Sequence, residues 1–135
     1  MFALFHSEFV NNRALALAAA IEKRAETATE QVTRAFKLAY GRAPTLGEIQ
    51  SCSEHIARLT EHHRKHPPQP TELPTSVRRH MVEEMTGEDI AWEEELDVLK
   101  HYQRDLMPWQ VGPETRGLAE LCLVLMNSNE FLYVR

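Results

Sequence analysis

Residues 76–95 read SVRRHMVEEMTGEDIAWEEE, and the fold class turns on how they are read. The helical period recurs on either side of them and nothing in the chain reads as a strand, so two further helices are expected here. One opens near Thr75 or Ser76 and stops at Gly87. The next starts near Asp89 and places Trp92, Leu96, Leu99, Tyr102 and Leu106 at i, i+4, i+7, i+10 and i+14. On this reading the protein is all-α, a compact bundle of about six helices.

Outward from that stretch the same period continues. Towards the N-terminus, Ser7 caps a first helix with Val10, Ala14, Leu17, Ile21 and Ala25 on its inner face. A second helix runs from about Thr29, carries Val32, Ala35, Phe36, Ala39 and Tyr40 on one side, and stops at Gly41 in a left-handed cap. Thr45 and Glu48 form a capping box for a third helix, whose stripe is Ile49, Cys52, Ile56, Leu59 and His63. That helix ends before HPPQPTELP, since a residue preceding proline is driven out of the helical region. Residues 67–74 form a proline-rich linker between halves 1–66 and 75–135 of a single helical domain. Towards the C-terminus MPWQVGPET is a loop, and Glu114 or Thr115 starts the last long helix. Its LAELCLVLM is apolar nearly all round, as befits a central helix wrapped by others. Asn127 suits a left-handed position after it, and Ser128 or Asn129 caps a short final turn that brings Phe131 and Tyr133 back to the core. LFHSEFV (Leu4–Val10) faintly echoes LMNSNEFL (Leu125–Leu132), but no longer period supports a duplication.

Composition narrows the functional classes. The chain has 135 residues, 43% of them hydrophobic and 26% charged, which is ordinary for one globular domain. A net charge of −5 argues against nucleic acid, whose binding needs a basic face. No run is long and apolar enough for a transmembrane segment, and Ala14–Ile21 is too short, with Glu8 before it, to be a signal peptide. Cys52 and Cys122 both fall on apolar helix faces. They read as buried free thiols, with a single bridge as the alternative in an oxidising compartment.

The candidate sites are few. His62 and His66, four apart, can reach one metal ion from one helical face, and His55 lies two turns earlier on nearly the same side. No carboxylate or cysteine at ligand spacing completes the set, and His66 precedes Pro67 at a helix end. We therefore assign no metal, and no cofactor. His63, on the apolar stripe, reads as a core histidine. Glu83–Asp97 holds eight acidic residues and no basic one, after a basic, histidine-rich stretch from Arg58 to His80. Calcium loops place oxygen ligands at alternating positions around a glycine turn, a pattern absent here. A solvated helix face is the plain reading and a docking surface for a cationic partner the sharper one. Trp92 and Trp109 fit core or lid packing better than a sugar platform. No serine lies in a G-x-S-x-G context, no cysteine has activating neighbours, and no C-x-x-C-H offers haem attachment. The chain is not read as an enzyme.

Four stretches carry a resemblance: ALFHSEFVNNRALALA (3–18), RAFKLAYGRAPTLGEI (34–49), LPTSVRRHMVEEMTG (73–87) and LDVLKHYQRDLMPWQVGPETRGLAELCLVLMNSNEFLYV (96–134). Together they resemble a planctomycete (PSD-type) domain of unknown function, with NSNEF as the most specific part. That domain lies at the C-terminus of large exported proteins, many of which also carry a cytochrome-c-like domain. The resemblance implies an exported parent in the cell envelope and places Arg135 near a natural C-terminus. It brings no catalytic residues. The function expected is a non-catalytic helical interaction or structural module. Its partners would be other domains of the parent protein, other envelope proteins or a second copy of itself. The alternative is a metal- or haem-associated accessory domain of a redox protein, using the clustered histidines.

Overall fold

A computed structural model describes residues 7–99 and 101–133, so Leu4–His6 of the N-terminal echo and the Arg135 terminus lie outside the described residues. The elements run α1 (Glu8–Glu22), α2 (Ala28–Tyr40), α3 (Leu46–Lys65), β1 (Ser76–Val82), β2 (Asp89–Glu95), α4 (Pro113–Met126) and α5 (Asn129–Leu132). Single 3-10 turns occupy Asp97–Leu99 and Pro108–Gln110. The chain is therefore not all-α. A two-stranded antiparallel sheet stands where two helices were expected, and five helices, the last a single turn, are found among the described residues.

The physical reason lies in residues 76–95 themselves. Val77 and Met81 are two positions from Arg79 on either side, and Ile90 is two from Trp92, so an alternating pattern was present beside the helical one. Val77, Val82, Ile90 and Trp92 are β-branched or aromatic and favour a pleated surface. Gly87 adopts φ +72° and belongs to the hairpin turn rather than to a helix stop. There its N–H donates to the Glu83 carbonyl at 2.9 Å, while the Thr86 N–H and hydroxyl both donate to the Glu83 carboxylate at 2.6 Å. Arg79 stands opposite Trp92 and Met81 opposite Ile90. Leu96 adds one more rung, its N–H donating to the Thr75 carbonyl at 2.9 Å. The proposed stripe from Trp92 to Leu106 accordingly shares no single helix.

Two compact units result. One comprises residues 1–69 and 105–135, and the other is residues 70–104. Within the first, α4 is the centre. Leu118, Ala119, Leu121, Cys122, Leu123 and Leu125 are buried, with only Val124 of its apolar run exposed. α1 meets it with Ala14, Leu15, Ala18 and Ile21; its alanines let the two backbones approach. α3 crosses α4 at Gly117, where a Cβ would come within 2.9 Å of the Thr60 nitrogen and 3.0 Å of the Ile56 carbonyl oxygen. α2 adds Val32, Ala35 and Phe36.

Local helix signals behave as their chemistry dictates. Gly41 ends α2 at φ +71°, and Thr45–Glu48 forms the capping box of α3. A second capping box, Thr27–Glu30, starts α2. Ser7 occupies the N-cap of α1 without a side-chain bond. Asn127 is not left-handed. At φ −100° its amide instead folds back to donate to the Leu123 carbonyl at 2.8 Å. Ser128 caps α5, accepting from the Phe131 N–H, but Phe131 and Tyr133 remain exposed rather than returning to the core.

Candidate interaction surface

Among the described residues the clustered histidines are engaged with neighbouring protein groups. His62 and His66 stack with ring centroids 4.5 Å apart, but the His66 Nδ1–H donates to the His62 carbonyl at 3.0 Å as part of the α3 C-cap. His55 lies seven residues before His62, about 10 Å along the axis at 1.5 Å per residue. Arg58 donates to its Nδ1 at 3.2 Å, which leaves the proton on a buried Nε2 without a partner. His63 is half-buried against α4, its Nε2 3.2 Å from Glu120 Oε1, and burial lowers its pKa. Among the described residues no group of three His, Cys, Asp or Glu side chains could hold a metal ion.

Nor do the thiols offer a nucleophile. Both are free; burial pushes the Cys122 thiol up to about 12 and raises Cys52 as well, so neither is a thiolate at neutral pH. Arg116, at 8% exposure, donates to the His63 carbonyl at 3.3 Å, while its Nε and Nη1 find no partner. The adjacent pocket, about 90 Å³ and shared with Asn12 and Glu120, is lined by polar and apolar side chains in equal number.

The NSNEF stretch has a definite role in the helical unit. Tyr40 donates its hydroxyl proton to Ser128 Oγ at 2.8 Å. Arg42 lies over the rings of Phe36 and Tyr40, 5.2 and 5.5 Å from their centroids. It grips Glu130 through Nε and Nη2 at 2.6 and 2.9 Å, and Glu48 through Nη1 and Nη2 at 3.0 and 2.7 Å. Glu48 is at the same time the capping residue of α3. One guanidinium thus ties the α2–α3 corner to the last turn of the protein. The Arg42 guanidinium, with the Thr45 N–H behind it, holds Glu48 down at about 2, and the guanidinium lowers Glu130 too. This is a structural clasp, with every donor committed to protein oxygen.

The hairpin unit is where surface remains to be covered. Alternation puts Val77, Arg79 and Met81 of β1 on one face with Ile90, Trp92 and Glu94 of β2. Four of these six are large apolar residues, 36% (Val77), 50% (Met81), 45% (Ile90) and 41% (Trp92) exposed. Arg79 and Glu94 form a diagonal ion pair beside them. The opposite face carries Ser76, Arg78, His80 and Val82 against Asp89, Ala91, Glu93 and Glu95. No third strand joins the sheet among the described residues. A lone two-stranded hairpin is marginally stable in water, so this one gains from being covered. Its signal in the sequence was the even spacing of Val77 and Met81, four apart, and of Ile90 and Trp92, two apart, about Gly87, a turn glycine read as a helix stop. Trp109, by contrast, is half-buried in the turn before α4.

No helix among the described residues is long and apolar enough to cross a membrane. Comparison of the chain with protein-family models, with curated proteins and with solved structures finds no match.

Proposed function

We propose that this protein is a non-catalytic interaction module in which a helical unit carries an amphipathic β-hairpin, and that the hairpin's apolar face is its contact surface. The single observation behind the reading is the half-exposed set Val77, Met81, Ile90 and Trp92 on one face of a sheet of only two strands. Exposed apolar residues grouped on one face among charges are the ordinary signature of a protein contact. The raised thiols and the histidines committed to protein partners support the non-catalytic part. The resemblance of NSNEF and its neighbouring stretches adds a setting: the C-terminal part of a larger exported protein of the cell envelope.

The test is apolar-dye fluorescence on the full chain at low micromolar concentration. Wild type should bind dye, and Ile90→Ser with Trp92→Ser should lose most of that binding without changing the helical melting curve. Unchanged dye binding, or loss of helical structure in the variant, would overturn the reading.

A further inference from the structure

Resting on the contact-surface reading above, we infer that the occupant of the hairpin face is a second copy of this chain, packed face to face about a two-fold axis parallel to the strands. Charge decides between the ways of pairing. β1 carries Arg78, Arg79 and His80 and no acid, and β2 carries Asp89, Glu93, Glu94 and Glu95 and no base. Edge-to-edge pairing of two copies through β2 would set carboxylates against carboxylates, and through β1 guanidinium against guanidinium. Pairing β1 of one copy with β2 of the next satisfies charge but does not close, and so builds an open filament. None of these covers the apolar face.

Face-to-face packing does cover it, and only one orientation suits the charges. An axis lying between the sheets across the strands would stack β1 on β1. An axis along the strands stacks β1 on β2 of the other copy, so that the one base of the packed face, Arg79, comes next to the one acid, Glu94, of the other copy, twice over. It also repeats between copies the register found within one. Arg79 comes over Trp92 of the second copy, Met81 over its Ile90, and Val77 beside its Glu94. Arg79 meets an aromatic face and an acidic strand, and eight apolar side chains, four from each copy, close a small sandwich about 10 Å thick. Two seven-residue strands present less than the ~800 Å² per partner of a stable complex, so the association is weak.

Sedimentation velocity of the full chain between ~10 µM and ~1 mM, the range that suits so small an interface, tests it. Wild type should shift towards dimer with concentration. Arg79→Glu and Glu94→Arg, each checked for an unchanged helical melting curve, should each weaken self-association about tenfold. The decisive arm mixes the two variants. The substituted side chain of each then lies one pair along, diagonally, from the substituted side chain of the other, opposite in sign, and the native Arg79 of one lies likewise beside the native Glu94 of the other. A heterodimer of near wild-type affinity should form. Neither variant regains its internal ion pair, so this rescue has to act between molecules. Folded variants that stay monomeric when mixed overturn the geometry. A wild type monomeric throughout overturns the second copy as occupant; dye binding lost in the Ile90/Trp92 variant then leaves the contact surface standing for another protein. A monomer that binds no dye removes both.

Discussion

At Gly117 the backbones of α3 and α4 meet so closely that no side chain fits, the nearest backbone obstacles being the Thr60 nitrogen and Ile56 carbonyl. Neither is the movable end of a side chain, so Gly117→Ala must push the helices apart. Overpacking of this kind typically destabilises by about 1–3 kcal/mol, although alanine is the better helix former. Chemical denaturation should show that loss, and a variant as stable as wild type would mean that the crossing is looser than described. The glycine gives no such sign in the sequence, where it is one small residue before LAELCLVLM. What is legible there is apolarity: Leu118, Leu121, Cys122 and Leu125 are as buried as an all-apolar helix demands. The spacing of His62 and His66 was also legible, but not the carbonyl that claims His66.

Elements are governed by what their ends hold. The capping box Thr45–Glu48 and the left-handed Gly41 can be read directly, since each is decided within four residues. The clasp they join cannot, because Arg42 and Glu130 are 88 residues apart. Its pH dependence follows from the lowered carboxylates. Glu48 titrates at about 2 in the folded protein against an ordinary 4.5, so its contribution is complete above 4.5 and disappears as pH falls towards 2. Glu48→Gln retains an acceptor for the Thr45 N–H but loses the charge facing Arg42. Urea midpoints at pH 6 should favour wild type, and the gap should close on acidification to pH 2. A gap independent of pH would show that Arg42 and Glu48 do not interact as ions. The hairpin presents the opposite case. Val77, Met81 and Met85 recur every four residues, a spacing that suits a helix face as well as one face of a strand, and glutamate, methionine and alanine favour helix. Cross-strand partners and the Gly87 turn decide for the strand, and those pairings are visible only in three dimensions.

For the whole molecule, the consequence is a division of labour between two units. In the helical unit, burial is satisfied around α4 and the C-terminal turn is locked by Tyr40 and Arg42. In the hairpin unit most residues are exposed, and the apolar face stands half-covered. The acidity of Glu83–Asp97, legible as a patch, proves to belong to the turn, β2 and the stretch after it, opposite a basic β1. A face of this kind becomes covered when the protein associates, and its backbone amides then exchange more slowly with solvent. Hydrogen exchange followed by mass spectrometry, at low and at high protein concentration, reads that change where it occurs. Amides of 76–82 and 89–95 should gain protection with concentration, α4 should be unaffected, and Trp92→Ser should abolish the gain. Hairpin protection that is the same at both concentrations would contradict coverage by association.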